Sequence, residues 1–271
     1  MAGASLIDGT GGPPVEAARL VTEGGLVSCV GGPEDCPTPP GADVLDAEGF
    51  WIVPGLIDVN IGPDDAPGTL ERSRLRFLLG VTTAGEPAHA GPADLLVRSE
   101  RGRAVPSRVL SALSTGGSVL LEEIPEPGDS LAARLAAELS ERGVALEPRL
   151  LGRELDAAPY RLPVGLNPLL ELPLFTESIR TPVPERDPEE QAAVERRLER
   201  ARDFVRDFHA AGGSVVTGSG GVIAPGLAIH EEMRALVDAG LAPEDALRAA
   251  TREAAVALGV DDRGTLEPGK L

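Results

Sequence analysis

Lysine is almost absent from this chain: among 271 residues the only one is Lys270. Histidine occurs three times, at His89, His209 and His230, cysteine twice, and aromatic residues make up 3% of the total. Each scarcity excludes something. Cys29 and Cys36 flank a Gly-Gly-Pro turn and supply neither a disulfide framework nor a set of metal ligands, so they are expected as thiols, buried or in a loop. No run of apolar residues approaches the roughly 18 of a membrane helix, and no cationic segment followed by an apolar one opens the chain, which reads as cytoplasmic. Basic charge is in deficit. A formal net charge of −18 disfavours nucleic acid and anionic membrane as partners.

What is present is a globular composition, 42% hydrophobic and 25% charged, long enough for one large α/β domain or for a domain with a small appendage. Short strands are expected at Leu6-Ile7, Ala18 to Val21 and Leu26 to Val30, separated by Gly-rich turns. Trp51 to Gly62, WIVPGLIDVNIG, reads as a buried parallel strand whose polar residues come at its end. A helix follows, with Thr69 as N-cap, an inward stripe of Leu70, Phe77 and Leu78, and Gly80 as its stop. Further strands are expected at Val81 to Ala84, Arg108 to Ser114, Val119 to Leu121 and Val144 to Pro148. Ser130 caps a helix carrying Leu131, Leu135 and Leu139.

Seven prolines between Pro159 and Pro188 predict an irregular loop over one end of the domain. Pro188 opens a helix on whose inner face Val194, Leu198, Ala201, Val205 and Phe208 recur. Ser214 to Thr217 is expected as the last strand, followed by helices Pro225 to Ala239 and Pro243 to Leu258, each with proline near its first turn.

Several of these segments carry a resemblance. PGLIDVNIG resembles the first barrel strand of the amidohydrolase superfamily, the metal-dependent hydrolases related to imidazolonepropionase and certain dipeptidases. GVTTAGEP is similar to the family's second strand, VLDAEG to the last sandwich segment before the barrel, and GLAIHEEMRALVDAGLAPEDALRAATREAAVALGVDDRGTLEPGKL to its carboxy-terminal signature. The resemblance implies an α/β fold: a (β/α) TIM-like barrel over residues 56–271 with a small β-sandwich segment over 1–55. About 216 residues remain for a barrel that typically needs ~250, so one or more middle β/α units are expected to be missing.

The resemblance also implies a chemistry, hydrolysis of C–N bonds by water activated on a divalent metal. In the family two histidines of the first strand and an aspartate after the last strand hold that metal. Here Asn60, Gly62 and Gly220 stand at those vestigial ligand positions, and Lys270, in the tail, is out of place for a bridging ligand. No metal ligand set and no cofactor are therefore expected. His209 and His230 are expected to cap or pack, Glu122-Glu123 and Asp64-Asp65 to be solvated surface. Ser219 in GSGG has neither a nucleophile-elbow nor a phosphate-loop context, although the backbone N–H groups of that loop could hold a small anion.

Three readings stay open. The first is a catalytically inactive pseudo-hydrolase acting as a binding or partner scaffold, self-associated or paired with an intact homologue that covers its open edges. The second is an active hydrolase of amide, dipeptide or cyclic amide bonds with a non-standard site, in which Asp58, Glu86 and His89 are the catalytic candidates and a divalent metal such as zinc is bound. The third is a decayed copy without function.

Overall fold

The computed structural model describes residues 1–62, 69–86, 143–158, 185–221 and 223–271, with short stretches at 97–98, 104–105, 108–111 and 118–120 and positions 134, 137, 139 and 141. The side chain of Glu86, and His89, Asp64-Asp65, Glu122-Glu123, Leu131, Leu135 and most of the Pro-rich loop lie outside the described residues.

The first 52 residues form a four-stranded sheet: β1 (Ala2–Leu6), β2 (Val15–Glu23), β3 (Leu26–Gly31) and β4 (Trp51–Ile52), in the order β3-β2-β1-β4. Alternation buries Ala4, Leu6, Ala18, Leu20, Val27 and Ile52 on one face, where Leu266 joins them from the far end of the chain. The carboxy-terminal tail is tied to this sheet: Leu266 N–H donates to the Asp8 carbonyl at 2.8 Å and Val27 N–H to the Lys270 carbonyl at 2.7 Å. One expectation fails here. Cys29 and Cys36 are joined as a disulfide, their Cα atoms 5.7 Å apart, because a turn closed by Cys36 N–H on the Gly32 carbonyl folds Cys36 back over the end of β3.

The second unit is parallel. Strand β5 (Leu56–Asp58) pairs with β6 (Val81–Glu86), which pairs with β9 (Arg108–Ser111); a separate two-residue ladder joins β7 (Val97–Arg98) to β8 (Ala104–Val105). On its other side, Val59 N–H donates to the Thr217 carbonyl at 3.0 Å, and the segment 214–217 in turn bonds β11 (Ala145–Glu147) through Leu146 on both faces of the peptide. Strand β11 pairs in parallel with β10 (Ser118–Leu120). The lateral order is thus β9, β6, β5, 214–217, β11, β10, an arc of a (β/α) barrel. Among the described residues no pairing closes β10 onto β9.

Ser214 to Thr217 bridges at Val215 alone instead of forming a full ladder. The cause lies next to it: Thr217 N–H and Ile57 N–H donate to the carbonyls of Ala249 and Ala250, so part of the sheet's hydrogen bonding is met by a helix end. That diversion also breaks the expected helix 243–258 into α5 (Pro243–Ala249) and α6 (Arg252–Ala257), with Thr251 between them and its hydroxyl returned to the Leu247 carbonyl at 2.8 Å.

Helix α1 (Thr69–Leu78) buries Ser73, Leu75 and Arg76, whereas Phe77 and Leu78 face solvent. Phe77 and Leu78 of the expected stripe are out of phase, since Leu75 and Leu79 set the inner face at a spacing of four, and the side chain of Leu70 lies outside the described residues. Thr69, expected as the cap, is already the first helical residue. Helix α2 (Leu150–Ala157) follows β11 directly; α3 (Pro188–Ala210) starts in a capping box made by Asp187 and Glu190 and buries Leu198, Ala201, Phe204, Val205 and Phe208. Helix α4 (Leu227–Asp238) begins after Gly226, leaving Pro225 outside its first turn. Glu154 of α2 accepts Arg202 of α3 at 2.8 Å and Arg234 of α4, which fixes α2 between its neighbours. No helix among the described residues is long and apolar enough to cross a membrane.

Candidate functional site

Because the strands of the arc run parallel, their carboxyl ends share one rim, the place where a barrel gathers its functional side chains. Residues following β5, the segment 214–217 and β11 meet there. Gly220 N–H donates to the Asn60 carbonyl at 2.7 Å, so two of the three expected ligand positions are in backbone contact, and Gly62 packs against the same turn.

Asp58, the last residue of β5, is 1% exposed. Its Oδ1 accepts two backbone donors, Ser219 N–H at 2.9 Å and Asn60 N–H at 3.2 Å. Burial pushes its carboxyl above the usual range, opposed by the Ser219 and Asn60 hydrogen bonds and the field of Arg76. A carboxylate engaged in this way is a staple between β5 and the 219 turn.

Asn60 is turned inward on the same rim. Its Oδ1 accepts Gly62 N–H at 3.1 Å and its Nδ2 donates to Glu147 Oε2 at 3.4 Å. Glu147, at the carboxyl end of β11, is 3% exposed, and Arg149 Nε donates to its Oε1 at 2.7 Å. A Cβ built on Gly218 would stand 2.4 Å from Glu147 Oε1, and one on Gly220 would stand 3.0 Å from the Arg149 guanidinium carbon. The ion pair therefore lies along the turn in the room that two side chains would take.

A third buried carboxylate stands on α4. Glu232 of α4 receives Leu150 N–H on Oε1 at 2.9 Å and Leu151 N–H on Oε2 at 2.8 Å, capping the amino end of α2. Burial raises its pKa from 4.5 to about 7; the two N–H bonds oppose the rise and the nearby Glu147 and Glu154 add to it.

Three N–H groups of the loop 218–221, where a small anion was expected as a possible ligand, are engaged internally: Ser219 on Asp58, Gly220 on the Asn60 carbonyl and Gly221 on Ser219 Oγ. His209 Nε2 sits 3.1 Å from Asp245 Oδ2, and His230 Nε2 is 2.7 Å from the Leu79 carbonyl at the end of α1. Neither belongs to the rim cluster. Glu86 ends β6 on the same rim as Asp58.

Glu147, Arg149 and Glu232 were missed in the sequence, and two of them left a signal. Glu147 is a carboxylate at the end of an apolar strand. Glu232 falls within an apolar helical face, with Ala228, Ile229, Ala235 and Leu236 at three and four residues on either side. Arg149, after Pro148, left none.

A parallel strand arc with helices outside and a polar rim at the strands' carboxyl ends defines the TIM-barrel-like class of α/β folds. The Amidohydrolase family matches residues 133–271, just over half of the chain, and the chain belongs to that family. Its fold is similar to an uncharacterized protein (TM-score 0.66, 16% identity, covering 100% of this chain and 90% of that one), to a putative prolidase from Bifidobacterium longum (0.60, 18%, 99% and 86%) and to molinate hydrolase (0.59, 18%, 100% and 87%). No curated protein matches the chain.

Proposed function

We propose that this amidohydrolase-family chain is a shortened, non-hydrolytic member, with an N-terminal sheet left from the family's sandwich, that works as a ligand-binding or partner-binding scaffold. The family's chemistry calls for imidazole and carboxylate donors converging on a divalent metal. Among the described residues, the donors at this rim do not fit one. Asn60 has its oxygen on Gly62 N–H, positions 62 and 220 carry no side chain, and Glu147 is paired with Arg149. A Cβ at Gly62 would come within 2.8 Å of the Gly220 carbonyl oxygen, so the backbone itself leaves no room for a histidine there. That closed position is the observation that carries the reading.

A partner surface is supported by Val44, Leu45, Phe50, Trp51 and Val53, a stretch beside the edge strand β4 whose side chains are largely exposed. The partner is a second copy or an intact homologue, and sedimentation of the isolated chain as a monomer would remove the first of these.

The test is metal content per chain in freshly purified protein, followed by hydrolysis of a panel of amides, dipeptides and cyclic amides with and without added zinc. The expected result is far less than one metal per chain and no hydrolysis above background. One metal per chain with hydrolysis abolished in Glu86→Ala or His89→Ala would overturn the proposal.

A further inference from the structure

We infer that the guanidinium of Arg149 is this chain's resident substitute for a metal cation: the Glu147–Arg149 ion pair, laid along Gly218 and Gly220, joins the end of β11 to the 218–220 turn and holds them together without one. Three independent observations converge on it.

The first is electrostatic. Glu147 has its side chain 4% exposed, and a carboxylate that deep requires a counter-charge. In a metal centre the ion supplies it; here Arg149 does, at 2.7 Å, with its own side chain 31% exposed so that the outer edge of the guanidinium keeps its contact with water.

The second is steric. Gly220 stands at the position of the family's aspartate ligand, and the three atoms nearest to a Cβ built there are Cζ, Nε and Nη1 of Arg149, at 3.0–3.1 Å. The arginine thus occupies the ground that a ligand side chain would hold, while the Glu147 carboxylate occupies that of Gly218. Loss of side chains on one segment and gain of an ion pair from the next fit each other.

The third is conformational. Arg149 has φ 49° and ψ 50°, left-handed backbone that a non-glycine residue keeps only when its surroundings hold it there. The residue is also the N-cap of α2, whose first two N–H groups are satisfied by Glu232. A left-handed turn between β11 and α2 sends the side chain back across the strand ends toward Glu147.

This inference rests on the reading that the rim is metal-free, and the two fail separately. Metal content tests that reading; coupling between the two side chains tests this one. Thermal unfolding of the full chain is compared for wild type, Arg149→Met, Glu147→Gln and the double variant, each with EDTA and with zinc or manganese chloride. Wild type is expected to melt at the same temperature in all three media. Arg149→Met, which strands the Glu147 carboxylate, should lower the melting temperature by about 4–8 °C. The double variant, neutral on both sides, should recover more than half of that loss, as coupled partners do. Should Arg149→Met not fold, a folded double variant supports the inference. An unfolded double variant, losses that simply add, or a wild type that loses stability in EDTA overturns it.

Discussion

Replacing Glu232 by glutamine should alter how the stability of this protein depends on pH. In the folded chain the carboxyl titrates at about 7, against 4.5 as its ordinary value. At about 1.4 kcal/mol per tenfold change in proton affinity, folded and unfolded states differ by on the order of 3 kcal/mol in their preference for the proton. The sign follows from which state holds the proton. Between pH 4.5 and 7 the folded chain keeps a proton that the unfolded chain has released, so this contribution is fully present below about pH 4.5 and is lost as the pH rises through 7. Glutamine cannot titrate, and it has one oxygen where Glu232 uses two, leaving either Leu150 N–H or Leu151 N–H facing an amide NH2 at a cost of about 1–3 kcal/mol. Urea unfolding of both proteins at half-unit steps from pH 4.5 to 8 isolates the group, since the other acids titrate alike in the two. Wild type should be the more stable at pH 5, and the gap should shrink by on the order of 3 kcal/mol by pH 8. Parallel curves over the whole range would refute the reasoning.

Asp58 should respond differently to the same kind of change. Both of its backbone donors reach a single oxygen, so Asp58→Asn keeps both bonds and should cost under about 1 kcal/mol, while Asp58→Ala strands Ser219 N–H and Asn60 N–H and should cost about 2–4 kcal/mol by urea unfolding. Restoring the family's ligands by Asn60→His, Gly62→His and Gly220→Asp together should yield no zinc binding by calorimetry and a destabilised chain, because φ is +71° at Gly62 and its Cβ would meet a carbonyl; tight zinc binding would show that the turn yields.

The fold was legible wherever a local pattern coincided with a tertiary role. Alternation in β1 and β2, Leu56-Ile57 before Asp58, and Leu198, Ala201, Val205 and Phe208 on the face of α3 bury as their periodicity requires. Convergence of Asn60, Gly62 and Gly220 was also legible, through resemblance, as shared strand ends. What escaped depended on distant partners. Nothing local marks Ala249 and Ala250, whose carbonyls leave the helix to serve Thr217 and Ile57, so the helix 243–258 read as continuous. Phe77 and Leu78 belonged to a plausible stripe until Leu75 and a buried Arg76 fixed the phase of α1. The Glu147–Arg149 pair was hidden for another reason: its room comes from glycines some seventy residues away, and those glycines read as lost ligands.

A metal centre ties strand ends together as well as activating water, so a chain that gives up its ligands must tie those ends by other means. In this protein the main chain does part of it, with Gly220 N–H on the Asn60 carbonyl and Val59 N–H on the Thr217 carbonyl joining β5 to the 214–220 segment. Asp58 adds a bond from its side chain to the same segment, and Asn60 reaches across to Glu147 on β11. None of these bonds uses an imidazole, and none needs the carboxylate at position 220 that the family places there. Once such a frame exists, a histidine at 60 or an aspartate at 220 contributes affinity for a metal and little to holding the rim. On the proposed non-hydrolytic reading, selection for hydrolysis is the force that would have kept those side chains, and glycine at 62 and 220 with an arginine across them is what a rim released from that selection, but not from folding, can accept.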